Sequence, residues 1–179
     1  MTILRYTVAM KTTAPAVRLV DAGDLPLLDD RFPEGPADKH RSRIERQFAG
    51  EVLYLIAWDG REPLGHALVV WAGASHREVK AAIEDCPEVD DIFVAERSRS
   101  QGVGTALIAA AEDAVAARGF DRIGLAVGRD NTRALALYER LGYEPVGLDD
   151  VWLAGMWLDR SGLEQFWSER CRYLVKHLP

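Results

Sequence analysis

The chain has 179 residues, enough for one hydrophobic core that withdraws about two-thirds of the unfolded chain's surface from water. Hydrophobic residues at 48% and charged residues at 28% exclude a disordered or fibrous chain, and a net charge of −6 argues against the basic footprint of general nucleic-acid binding. No run approaches the ~18 to 20 apolar residues of a membrane-spanning helix, so neither nucleic acid nor membrane is an expected partner.

Two cysteines, Cys86 and Cys171, are too few for a disulfide framework and lack metal-site spacing; free thiols are expected. The histidines, His40, His66, His76 and His177, are scattered, so no metal is expected. Residues 1–13 lack the long apolar segment of a signal peptide and read as a flexible extension ahead of a single domain over 14–179. A cytoplasmic location is the expectation, and Met10 offers an alternative start.

In chain order, Val17 to Val20 reads as a strand, and Asp21 to Phe32 as a short helix and turn interrupted by Pro26. Residues 37–50 carry a charged helix pattern with Ile44 and Phe48 on one face. Val52 to Trp58 and Leu64 to Trp71 are β-rich runs joined at Asp59-Gly60-Arg61-Glu62-Pro63, which predicts a hairpin, and Gly65 marks a bulge. Ala72 to Pro87 holds a helical turn around Glu78 to Glu84, and Glu88 to Val94 is a strand. A long helix from Gly102 to Arg118 follows, then a strand over Arg122 to Val127 and a helix over Asn131 to Leu141, ended by Gly142. Tyr143 to Leu148 and Arg170 to Leu178 read as the last strands, with 149–169 as an insertion carrying Trp152, Trp157 and Trp167. The order predicts a mixed α/β sheet.

The chain is organised around Arg99-Ser-Gln-Gly-Val-Gly-Thr105, where a buried strand ends and a helix begins. Gly102 and Gly104 let the backbone turn and approach a ligand, the first-turn N–H groups are free to bind phosphate oxygens, and Arg99 adds charge. A P-loop needs Lys and then Ser or Thr after the last glycine, where Thr105-Ala106 stand, and a dinucleotide fingerprint needs glycine where Leu107 stands.

Arg99-x-x-Gly102-x-Gly104 between strand and helix instead resembles the signature of the GCN5-related N-acetyltransferase (GNAT) superfamily. Asn131-x-x-Ala134-x-x-Leu137-Tyr138-x-x-Leu141-Gly142-Tyr143, beginning 27 residues after Gly104, is similar to the family's second segment. The resemblance covers about residues 88–147 well and 16–71 by strand order only. It implies a largely antiparallel central sheet flanked by helices, with acetyl-CoA as co-substrate. The cradle formed by Arg99, Ser100, Gln101, Gly102, Val103, Gly104 and Thr105 would hold the pyrophosphate, and the backbone of Ile92, Phe93 and Val94 would hold the pantetheine arm. Tyr138 matches the position that protonates the coenzyme A thiolate; the competing reading is a tyrosine buried against the sheet. Asn131 is a cofactor contact, a helix N-cap, or both.

A general base is sought on the strand before the cradle. Strict alternation puts Glu88, Asp90, Ile92 and Val94 on one face and Val89, Asp91 and Phe93 on the other. Glu88 and Asp90 are either base or substrate contacts, or solvated residues at a strand end. Glu84, Asp85, Glu88, Asp90, Asp91, Asp149 and Asp150 together favour a small cationic primary amine as acceptor. A peptide acceptor and a non-catalytic acyl-CoA-binding module are the alternatives. Cys86 has no partner histidine at a recognised spacing, so a structural thiol is preferred to an acyl-enzyme. The tryptophans of the insertion either wall a pocket or pack on the core or on a second subunit, as in a homodimer.

Overall fold

In the computed structural model, which describes residues 14–179, eight strands form one mixed sheet. The strands are β1 (Ala16–Leu19), β2 (Val52–Asp59), β3 (Glu62–Val70), β4 (Glu88–Val94), β5 (Arg122–Gly128), β6 (Glu144–Pro145), β7 (Val151–Leu158) and β8 (Glu164–His177). Their spatial order is β1-β2-β3-β4-β5-β8-β6, with β7 paired to β8. Every pairing is antiparallel except β4 with β5. This is the largely antiparallel sheet that the resemblance implies. The expected extension, 1–13, lies outside the described residues.

Five helices flank the sheet: α1 (Leu25–Arg31), α2 (Lys39–Phe48), α3 (Arg77–Ala82), α4 (Val103–Ala117) and α5 (Thr132–Arg140). On one face, Leu107, Ile108, Ala111 and Val115 of α4 pack with Ala67, Val69, Val89, Ile123 and Leu125 of the strands. On the other, Leu28, Phe32 and Ile44 from α1, its C-terminal end and α2 cover Tyr54, Ile56 and Leu68. Strands β2 and β3 are thus buried on both faces, which is why they read as nearly continuous apolar runs.

Several expectations need correction. Pro26 does not interrupt a helix; it occupies the first turn of α1, where a missing N–H costs nothing. On α2 the buried pair is His40 and Ile44, while Phe48 is 75% exposed. The supposed insertion is regular structure: β7 and an N-terminal extension of β8 form a long hairpin, and β6 shrinks to two residues. At Gly65 the bulge exists, with Leu64 the extra residue between the pairs Ala57–Gly65 and Trp58–Pro63. A Cβ there would lie 2.4 Å from the Phe93 carbonyl oxygen, so β4 can approach β3 only over glycine.

The most consequential correction concerns β4. Leu68 pairs with Asp90 and His66 with Phe93, so Ala67 faces two residues, Asp91 and Ile92. This bulge, with Asp91 at φ 45°, inverts the alternation. Phe93, not Ile92 or Val94, shares the face of Glu88 and Asp90, and Ile92 and Val94 pack towards α4 with Val89.

Candidate active site

Strands β4 and β5 pair only at Glu88–Gly124 and Val89–Leu125, after which they separate. The parting leaves β4 without a strand partner on that side, and a cavity of 760 Å³ opens between the strands. Helix α5 and the β7–β8 hairpin complete its walls. Of the residues singled out from sequence, Glu88, Asp90, Ile92, Phe93, Asn131 and Tyr138 line it. Val94 and residues 99–105 do not; they lie just beyond the C-terminal end of β4.

Glu88 is half-buried at the start of β4, the first of the two positions paired with β5. Burial, reinforced by the nearby Asp90 carboxylate, pushes its pKa up to about 7, the value a general base at neutral pH requires. Asp90 opens to solvent at the mouth, yet the surrounding protein and the adjacent Asp91 raise its pKa as well. Its Oδ1 accepts the Asp91 N–H at 2.9 Å.

Tyr138 sits on the inward face of α5 with Asn131 and Ala134, the i, i+3, i+7 set expected from the sequence. It is 7% exposed, and among the described residues its hydroxyl makes no protein hydrogen bond. Burial pushes its pKa to about 12, so the hydroxyl is a proton donor at any physiological pH. Asn131 is the N-cap of α5: its Oδ1 accepts the Ala134 N–H at 3.1 Å, and the residue also lines the cavity.

The turn before α4 has the form of an anion cradle. Ser100 at φ 62° and Gly102 at φ 82° turn the chain, and no side chain caps the first turn of α4. Gly104 lies against α5: a Cβ there would be 3.5 Å from Leu137 Cδ2. Arg99 is committed to the strand end, its Nε donating to the Val94 carbonyl at 3.2 Å. A second cation, Arg133 of α5, reaches the cradle by donating to Ser100 Oγ. Sequence reasoning missed it because 33 residues separate the two.

Other cavity residues were equally invisible to local patterns. Arg43 of α2 donates through Nη2 to the Asp91 carboxylate, and its own pKa is raised: burial opposes its charge but Asp91 outweighs burial. Burial also works to raise the Asp91 pKa, yet Arg43 and His66 hold it below the usual range. His66 Nδ1 donates to the Asp91 carbonyl at 3.1 Å, and burial lowers its pKa to about 3, leaving a neutral ring. Its neighbour His40 donates from Nε2 to the Phe32 carbonyl and accepts the Tyr54 hydroxyl at Nδ1. Tyr173 of β8 lies over Gly124, where a Cβ would be 2.4 Å from its hydroxyl oxygen, and it faces the cavity beside Glu88.

The acidic cluster read from sequence divides in three dimensions. Glu88, Asp90 and Asp91 share the cavity. Glu84 and Asp85 line a separate hollow with Trp71 and Phe120, and Asp150 is enclosed by Arg129, Arg170 and Arg172. Trp157 and Trp167 do wall the cavity, whereas Trp152 is 66% exposed on the far side of the hairpin. Burial raises the Cys86 thiol to about 11, which makes it inert as a nucleophile at neutral pH. Among the described residues no group of three or more His, Cys, Asp or Glu side chains is placed to hold a metal.

Residues 24–143 match the profile described as the acetyltransferase (GNAT) family. A mycothiol acetyltransferase of Clavibacter michiganensis subsp. michiganensis is 46% identical over 50 residues, 28% of this chain but only 16% of that protein. Among solved structures, an acetyltransferase of Salmonella typhimurium with acetyl-CoA superposes with a TM-score of 0.66 at 14% identity, covering 93% of this chain and 95% of that one. The PaiA N-acetyltransferase of Thermoplasma acidophilum in complex with coenzyme A gives the same TM-score and identity over 92% and 99%. At such identities the superpositions establish the fold, and the profile, which spans most of the chain, establishes the lineage. This chain belongs to the acetyltransferase (GNAT) family.

Proposed function

We propose that the protein is an acetyl-CoA-dependent N-acetyltransferase that transfers acetyl directly to the primary amine of a small cationic molecule. The observation that carries the reading is the convergence of Glu88 and Tyr138 on one cavity at the parting of β4 and β5. A carboxylate with a pKa near 7 and a permanently protonated phenol are the acid–base pair that aminolysis of a thioester needs.

The residues fit the donor. Uncapped N–H groups of the α4 first turn, with Arg99 and Arg133 beside them, suit a pyrophosphate. The free side of β4 past Val89 offers main-chain groups to the pantetheine amides and N–H donors to the thioester oxygen. An acceptor arriving as ammonium meets Glu88 and Asp90. Glu88 takes its proton, directly or through water, and the amine nitrogen attacks the thioester carbonyl carbon. As the C–S bond breaks, Tyr138 gives its hydroxyl proton to the departing sulfur; the second proton that the nitrogen loses as the amide forms returns through water to the Tyr138 oxygen, and Glu88 releases the first to solvent. Arg43, bonded to Asp91, and Lys39 line the same space.

The test is thiol release from acetyl-CoA across a panel of polyamines, amino sugars, amino acids, N-terminal peptides and neutral amines. Turnover with cationic small amines, lost in Tyr138→Phe, supports the reading. Acetylation of neutral or anionic amines alone would remove the cationic acceptor from it, and coenzyme A binding without turnover across the panel would favour a non-catalytic module.

A further inference from the structure

The β7–β8 hairpin has two different faces. Leu153, Gly155 and Trp157 face the cavity; the alternate positions Trp152, Ala154, Met156 and Leu158, of which Ala154 and Met156 also border the cavity, stand opposite Arg170, Ser168, Phe166 and Glu164. That outer face is apolar and open: Trp152 is 66% exposed, Met156 69%, Leu158 57% and Phe166 71%, with Leu163 at the turn 63% exposed. Among the described residues β7 pairs with no strand but β8, and at its outer edge the Leu158 carbonyl accepts the Ala37 N–H at 3.2 Å. Five large side chains at ~100–160 Å² each present ~600–700 Å², well above what isolated surface residues explain and close to the ~800 Å² per partner of a stable interface.

We infer that this strip is the contact between two copies of the chain. The ladder is self-complementary under a two-fold axis through its middle. Turning one hairpin end for end sets the small pair Ala154–Ser168 against the bulky pair Met156–Phe166 of the second copy, and Trp152 against the second copy's Leu158. The charges follow the same rule: Arg170 shares the one Asp150 carboxylate with Arg129 and Arg172, which leaves the base of the hairpin net positive, and it meets Glu164 at the tip of the other hairpin, twice. An unrelated partner would have no reason to match this end-to-end inversion. Because the same strands wall the cavity, the contact also braces that wall. This inference stands independently of the acetyl-transfer reading.

Sedimentation velocity on the full chain at micromolar concentration tests it. The wild type is expected at twice the chain mass, and Phe166→Glu as a monomer with an unchanged circular dichroism spectrum. Glu164→Arg makes both ends of the strip positive, and Arg170→Glu makes both negative. Each alone should raise the dissociation constant by about tenfold or more, while an equimolar mixture of the two should re-form a dimer. A wild type that is monomeric at its highest soluble concentration overturns the inference. So does a dimer indifferent to Phe166→Glu and to both charge reversals, and so does a mixture that fails to associate better than its components.

Discussion

Asp91 on β4 is ion-paired with Arg43 on α2, 48 residues earlier in the chain. The pair joins the left-handed residue of the β4 bulge to the helix that covers the opposite sheet face. Asp91 holds φ 45°, a conformation that side chains other than glycine adopt at a cost of about 1 kcal/mol or more. The guanidinium and the His66 hydrogen bond to the Asp91 carbonyl hold it there. The bulge in turn decides that Phe93 rather than Ile92 shares the sheet face of Glu88 and Asp90.

Arg43→Met should therefore destabilise the fold by about 1–3 kcal/mol, less than for a fully buried pair because Asp91 is 41% exposed. Denaturant unfolding at pH 7 measures it. Repeating the measurement at acidic pH should shrink the deficit: the depressed Asp91 pKa means its stabilising contribution is present above the unfolded value and lost as pH falls through the folded one. A deficit that stays constant with pH would argue against the pair as its source.

Glu88→Gln separates chemistry from stability. With a folded pKa of about 7 against an ordinary 4.5, the wild type gains stability from Glu88 below about pH 4.5 and loses it as pH rises through 7. The glutamine variant should match the wild type near pH 4 and exceed it at pH 8 by up to ~3 kcal/mol. Over the same interval kcat/KM of the wild type should rise with an apparent pKa near 7. The variant should lose that limb and about 100-fold or more in rate.

Tyr138→Phe removes a hydroxyl that bonds to no other described group, so the melting temperature should change little. If the hydroxyl protonates the leaving thiolate as proposed, the rate should still fall by about 100-fold or more while the KM for acetyl-CoA stays within about twofold. Steady-state kinetics beside a thermal melt checks both halves. A large drop in melting temperature would assign Tyr138 to packing instead.

Gly104→Ala should trade binding for stability. The added methyl meets Leu137 at ordinary contact distance, and alanine favours the helix by about 0.8–1 kcal/mol. The same methyl stands at the turn proposed to hold the pyrophosphate, where close backbone approach would be needed. A raised melting temperature with weaker coenzyme A binding, measured by calorimetry, is the expected outcome; unchanged affinity would place the pyrophosphate elsewhere.

Much of this was legible locally. Val103 to Ala117 carries apolar residues at helical spacing, Gly102 supplies the positive φ before it, and Asn131 caps the next helix; all depend on near neighbours in the chain. The face shared by Asn131, Ala134 and Tyr138 follows from helix geometry alone. What failed did so for physical reasons. A one-residue bulge leaves no periodic signature, and alternation was extended through Asp91 where the backbone breaks it. The aromatic, Gly-containing stretch 149–169 read as an insertion because one face of its hairpin is apolar and exposed, against the usual in–out pattern of a half-buried strand.

The sequence by itself determined the cradle, the tyrosine helix and thereby the family, because those motifs are contiguous segments whose conformation is set by near-neighbour sterics and hydrogen bonds. Only the tertiary structure decided that β4 and β5 part after two paired residues. It also decided that Glu88 rather than the wider acidic cluster is buried enough to titrate near 7, that Arg43, His66 and Tyr173 converge on the cavity, and that Arg133 meets Ser100 at the turn before α4. Strand divergence, burial and the meeting of distant side chains arise from packing across the whole sheet, which no local pattern encodes.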